Sequence, residues 1–220
     1  MKRQLIPVRN LQEVSICTAL FNRSEQYLDV FLKSLSKVRN PEKISLSIFD
    51  CGSMDVNDLE NEIRKRWKGK IIFTSRPVPF NRSHALNHAV EASSSPILLI
   101  CDADMWLPEN IVTLCNNYTG SRVAWFPIYF FLYKSQNKNE KPKPGIWEQF
   151  GSKGMLACLK SDFRKLGGYD EGFISWGGED TELWERFHSN RFIVIRNRQK
   201  GLFHHWHETF NPKFMWMNGL

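Results

Sequence analysis

The sequence predicts an α/β protein built on a single, mostly parallel sheet with helices on both faces, and two observations carry that prediction. Short apolar runs alternate with segments of helical spacing through the first half of the chain, the pattern of βαβ units. One of these runs, Pro96 to Ile100, is continuously apolar and ends abruptly in Asp102-Ala103-Asp104. A buried strand cannot keep unpaired acids in its middle, but its carboxyl end can present them to a cleft. In open parallel sheets that end is where ligands bind. Two acids there suit a divalent cation, and a cation suits a diphosphate.

Each element follows from local pattern. Val14–Leu20 reads as the first strand, ending at Phe21-Asn22-Arg23-Ser24. Glu25–Val38 has helical spacing, with Leu28, Phe31, Leu32 and Leu35 on one face and Ser24 as its N-cap. Ile44–Phe49 is a second strand closed by Asp50-Cys51-Gly52-Ser53; Asp55–Trp67 is a helix and Lys70–Thr74 a third strand. Arg82–Ala92 is a short helix before the strand that ends in the two acids. Beyond Asp104 the rhythm changes. Pro108–Tyr118 reads as a helix, Val123–Tyr133 as one strand, and Lys134–Gly145 as a solvated loop. Met155–Leu159 is a strand, Asp180–His188 a helix and Phe192–Ile195 a last strand. With no internal repeat and no linker, residues 1–220 read as one domain. Residues 12–104 form a nucleotide-binding half and residues 105–220 an acceptor-side half.

Composition narrows the class. The chain has 220 residues, 42% of them hydrophobic and 13% aromatic, which suits a packed core. No stretch reaches the ~20 apolar residues that span a bilayer, and the start lacks a secretory signal. The five cysteines are odd in number, widely spaced and set in apolar runs, the pattern of reduced, buried thiols. A cytoplasmic protein is expected. The net charge of +7 suits an anionic partner, such as a nucleotide diphosphate, a lipid-diphosphate acceptor or an anionic membrane surface, or is a basic solvated face. The Lys and Arg residues are dispersed and form no basic stripe, so nucleic acid ranks low.

Four constellations could carry chemistry. Asp102 and Asp104 are the first. The second is Trp176-Gly177-Gly178-Glu179-Asp180: two glycines allow a hinge, and the acids enter a helix N-terminus. Those acids complement the helix dipole, or one is a general base and its neighbour holds an acceptor hydroxyl. The third is His204-His205-Trp206-His207, where a helix or turn would face His204 and His207 one way. Imidazole beside carboxylate suits Mn²⁺ better than Ca²⁺. The fourth is Pro79 through Asn87: Arg82 at a helix start has the fork to clamp a diphosphate, or is a surface arginine. Asp50 would accept from a base or ribose, or is a plain turn residue.

Together these residues resemble the GT-A glycosyltransferases, most nearly the β-1,4-galactosyltransferase and chondroitin-polymerase type. The likeness lies in Thr18-Ala19-Leu20-Phe21-Asn22-Arg23, in Phe80-Asn81-Arg82 with Leu86-Asn87, and in Cys101-Asp102-Ala103-Asp104. It continues in Gly167-Gly168-Tyr169-Asp170-Glu171 through Trp176-Gly177-Gly178-Glu179-Asp180, and in His204 with His207. The run Trp176 to Asp180 is the specific element. The resemblance implies a GT-A fold and an inverting transfer of a hexose or N-acetylhexosamine from a UDP-sugar to a glycan hydroxyl. It implies that Asp104 and His207, with His204 as a further candidate, hold Mn²⁺ or Mg²⁺. It places the nucleotide against Thr18, Phe21, Arg23, Asp50, Arg82, Asp102 and Ala103, makes Asp180 the base, and puts Glu179, Trp176, Gly177 and Gly178 around the sugars. Phe173–Gly178 would close over the donor. Without an anchor or disulfides, a bacterial cytosolic enzyme acting on a glycan, lipid-linked in one version, is expected. The competing readings are a nucleotidyltransferase, disfavoured because Phe21-Asn22-Arg23-Ser24 lacks glycine, and a non-catalytic UDP- or sugar-binding module.

Overall fold

The computed structural model describes residues 10–134, 145–150, 153–174 and 177–207. Its main sheet has seven strands: β1 (Val14–Leu20), β2 (Ile44–Asp50), β3 (Lys70–Ser75), β4 (Ile97–Ile100), β6 (Val123–Trp125), β9 (Leu156–Leu159) and β10 (Ile193–Ile195). They lie in the order β10-β6-β9-β4-β1-β2-β3. Every adjacent pair is parallel except the two made by β9, which runs against both β4 and β6. A second sheet, β5-β11-β7-β8, is built from Met105–Trp106, Arg198–His204, Ile128–Leu132 and Gly145–Trp147. The mostly parallel α/β architecture read from the sequence is the one observed.

Apolar residues on each side of the main sheet bury a separate layer. Ile16, Leu20, Leu46 and Ile48 pack with Leu32 and Leu35 of α2 (Leu32–Leu35), Ile63 of α3 (Leu59–Arg66) and Leu114 of α5 (Ile111–Tyr118). On the other face, Cys17, Leu98 and Ile100 pack with Leu86 and Ala89 of α4 (Arg82–Ala92), Phe163 of α6 (Lys160–Lys165) and Phe187 of α7 (Glu179–Ser189). Small residues let α4 lie close. Buried Ser47 donates to the Ala89 carbonyl at 2.6 Å, and the hydroxyls of Ser15, Ser45 and Ser95 link in a chain at 2.7 and 3.1 Å. All five cysteines are free and buried. Burial pushes the Cys17 thiol up to about 12, and burial with the charge of Asp50 pushes Cys51 up to about 11.

Three sequence expectations are corrected. Ser24 does not cap the first helix; it is the first residue of α1 (Ser24–Gln26) and is itself held. Asp55 accepts from its backbone N–H at 2.8 Å and its hydroxyl at 2.7 Å. From α1 the helix passes through a π-helical turn at Tyr27–Phe31 into α2, which seats Tyr27, Phe31, Leu32 and Leu35 in one core. The run 123–133 is two strands in two sheets, because Pro127 has no N–H for a ladder. On either side of it, Phe126 N–H donates to Ile195 O and Ile128 N–H to Asn197 O. Finally, β5, β8, α6 and β11, absent from the sequence reading, fill segments without clear periodicity. The loop expected at 134–145 lies largely outside the described residues.

Removing the carboxylate that holds the first helix should weaken the fold. Asp55→Ala is expected to cost about 1–2 kcal/mol, as for loss of a helix cap, read as a lowered midpoint in urea unfolding.

Candidate active site

The carboxyl ends of β1, β2 and β4 bring their following loops to one rim, and the N-termini of α4 and α7 point at it. Cys101 N–H still pairs with the Cys17 carbonyl, so the sheet ladder runs up to the acids. Asp104 follows directly and is 6% exposed. The end of β11 supplies the rest of its surroundings. His207 Nε2 lies 2.9 Å from Asp104 Oδ2, and His204 Nε2 lies 3.5 Å from Oδ1. One carboxylate oxygen and two imidazole nitrogens thus fall within 4.8 Å of one another. Burial alone would raise the Asp104 carboxyl, but the His207 hydrogen bond and the charges of both histidines hold it below the usual carboxylate range. The donor set fits a borderline cation such as Mn²⁺. Asp104 Oδ1, buried and without a hydrogen-bond partner among the described residues, is an acceptor that such an ion would satisfy.

His204 is set by packing rather than by a helical turn. It is the last residue of β11, and its ring stacks on Phe131 at 4.5 Å and on Tyr129 at 5.8 Å. The backbone N–H of His205 donates to the Asp104 carbonyl at 3.0 Å, pinning the histidine segment to the acid loop. Tyr129 and Phe131 were not foreseen. Their only sequence signal was the aromatic density of residues 123–133.

Arg82 links the acid loop to α7. Its Nε and Nη2 both donate to Asp102 Oδ1, at 3.1 and 2.9 Å, and Nη1 donates to Glu179 Oε1 at 3.2 Å. Nη2 also donates to the Gly154 carbonyl at 2.9 Å. Burial works against this cation, but Asp102, Tyr169 and Glu179 outweigh it and hold its pKa above the ordinary value. The guanidinium is therefore occupied by protein acceptors. Glu179 is 5% exposed, and Asp180 accepts from the Lys153 backbone N–H at 3.2 Å.

The other expected nucleotide residues divide. Phe21 stacks on Phe80 at 5.8 Å and forms a half-buried aromatic wall beside half-buried Arg23. Ala103, between the two acids, is buried in the core. Thr18 is fully buried on the face of β1 shared with Ile16 and Leu20, so its side chain is turned into the core and away from the rim. Asp50 is also buried. It accepts from Ser53 N–H at 3.1 Å, from the Ser53 hydroxyl at 2.5 Å and from the Ser75 hydroxyl at 2.7 Å, which makes it a turn residue here. Gly177 and Gly178 have φ of +92° and +102°, and a Cβ on Gly178 would lie 3.0 Å from the Phe173 ring. Trp176 and Ser175 lie outside the described residues.

Asn87 locks the neighbouring turn. Its Nδ2 donates to the Tyr169 carbonyl and to Glu171 Oε1, both at 2.9 Å, while Oδ1 accepts from Tyr169 N–H at 2.9 Å. His84 completes the contact at 2.8 Å from Glu171 Oε2. Gly168, at φ +71°, must be glycine: a Cβ there would stand 2.7 Å from Asn87 Oδ1.

Comparison with known proteins decides the family. Residues 3–211 match the family model described as chondroitin N-acetylgalactosaminyltransferase. The chain belongs to this family. Human chondroitin sulfate N-acetylgalactosaminyltransferase 2 is 32% identical over 218 residues, 89% of this chain and 40% of the relative. Human chondroitin sulfate synthase 3 is 26% identical over 224 residues, 90% of this chain and 25% of the relative. The chain thus spans well under half the length of these two relatives. Both are human, so they lend no support to a bacterial source. Among solved structures, GalNAc-T7 with UDP, GalNAc and Mn²⁺ matches with a TM-score of 0.69 at 16% identity, over 93% of this chain and 46% of that one. The mannosyltransferase PcManGT from Pyrobaculum calidifontis, with GDP-Man and Mn²⁺, matches at 0.66 and 13%, over 94% and 60%. The fold of this family member is that of the GT-A glycosyltransferases, as the resemblance implied. No helix among the described residues is long and apolar enough to cross a membrane.

Two imidazoles would have to be neutral to act as ligands, so protons and a metal would compete for this candidate site. Mn²⁺ affinity, measured by titration calorimetry, is expected to fall as pH drops from about 7 to about 5, because a protonated imidazole has no lone pair to give a metal. Asp104, held low, stays ionised across that window. An affinity that does not change over this range would count against the two histidines as ligands.

Proposed function

We propose that this domain transfers N-acetylgalactosamine from its UDP conjugate to a glycan hydroxyl, with inversion to a β-linkage. The observation that carries the reading is the meeting, at one rim, of the Asp104–His204–His207 cluster with the Glu179–Asp180 pair. The choice of sugar rests on the family description and on the names of the relatives. A cation held by Asp104, His204 and His207 would supply positive charge to the departing diphosphate.

The chain's own residues do the rest. Asp180 sits in the first turn of α7 with one carboxylate oxygen fixed by the Lys153 N–H, so its other oxygen can take the proton from the incoming hydroxyl. Glu179 Oε2 is buried and has no hydrogen-bond partner among the described residues, which suits it to accept from a sugar hydroxyl. The Phe21–Phe80 pair offers a flat surface to the base. Attack and departure occur in one displacement, so no protein nucleophile is required.

UDP release from UDP-N-acetylgalactosamine, given Mn²⁺ and a glycan acceptor, is the direct test. Asp180→Asn is expected to lower kcat by about 10²–10⁴-fold while UDP still binds. Pyrophosphate in place of UDP would indicate nucleotidyl transfer. UDP binding with no turnover by the unaltered chain would indicate a binding module.

A further inference from the structure

We infer that Arg82 is a positioning residue that withholds Asp102 from the metal, rather than a group that binds the donor diphosphate. This rests on the metal-dependent reading above. Two acids stand one residue apart on the same loop, yet only Asp104 joins the histidine cluster. The difference lies in what each faces. Asp102 Oδ1 receives two donors from the Arg82 fork, so the carboxylate is drawn toward α4. The same guanidinium reaches Glu179 and the Gly154 carbonyl. Arg82 has a side chain only 13% exposed, and its ring partner is Tyr169, 5.8 Å away. Four hydrogen bonds to protein leave a planar fork little capacity for a phosphate.

The consequence is a division of labour between two similar acids. With Asp102 neutralised, the cation site carries one carboxylate and two imidazoles and keeps open positions for diphosphate oxygens. With Asp102 released, a second carboxylate would reach toward the ion and tighten its hold. Through Glu179, the same residue fixes the start of α7 and with it the neighbouring Asp180. One buried cation thus sets donor side and base side relative to each other.

The test compares Arg82→Gln with the double variant Arg82→Gln/Asp102→Asn, using the whole chain and Mn²⁺ alone as the probe. Mn²⁺ affinity without nucleotide is expected to tighten about tenfold in Arg82→Gln, because a second carboxylate is freed for the ion, and to return to the parent value in the double variant. UDP affinity at saturating Mn²⁺ should stay within about threefold of the parent, while kcat falls about 100-fold. Arg82→Lys, which keeps the charge and loses the fork, serves as the control for folding. A loss of UDP affinity of about tenfold or more in Arg82→Gln with unchanged Mn²⁺ binding would make Arg82 a diphosphate ligand and overturn the inference alone. Failure of the unaltered chain to bind Mn²⁺ would overturn both this inference and the metal-dependent function.

Discussion

Asp102, Asp104, Glu179 and Asp180 crowd one end of a buried sheet, where an isolated carboxylate would cost at least about several kcal/mol. The arrangement stands because each acid has a partner. Asp102 and Glu179 share the Arg82 guanidinium, Asp104 lies against two imidazoles, and Asp180 takes a backbone N–H. This pairing constrains the fold beyond the site. The start of α4 must lie beside the acid loop to deliver Arg82, the segment before β9 must pass close enough to offer Gly154 and Lys153, and α7 must begin at the same rim. The reversed strand β9 meets that need, since its approach brings residues 153 and 154 to the acids before it enters the sheet.

The second sheet has a comparable logic. It is small and mixed, and β11 leaves it at the point where His204 must reach Asp104. Stacking against Phe131 and Tyr129 fixes the plane of the imidazole, which a surface histidine on a loop would lack. Aromatic residues that look like general core filler therefore also orient a candidate ligand.

How much of this was legible depended on whether the signal was local. The parallel strands and α4 were readable because apolar runs and helical spacing are local patterns, and the acid loop was readable because charge after a buried run is anomalous. Residue chemistry alone gave the acids and the histidines as separate candidates, and the family resemblance joined Asp104 to His204 and His207. The direction of Arg82, Thr18 and Asp50 was not, since each depends on neighbours distant in sequence. Glu179 stands 97 positions from Arg82, and Ser75 stands 25 from Asp50. Pro127 was a visible break in an aromatic run, but its meaning, a change of sheet, required knowing where Ile195 and Asn197 lie. Ser24 had the side chain of a cap, yet Asp55 reached it from another loop.

The five cysteines have a consequence outside the chemistry of the rim. Thiol–disulfide exchange needs a thiolate with access to a partner. Here every sulfur is buried, and burial holds each proton on. The native fold therefore neither requires an oxidant to form nor offers one a target once formed. A scaffold with this property keeps its thiols out of exchange for as long as its core stays closed.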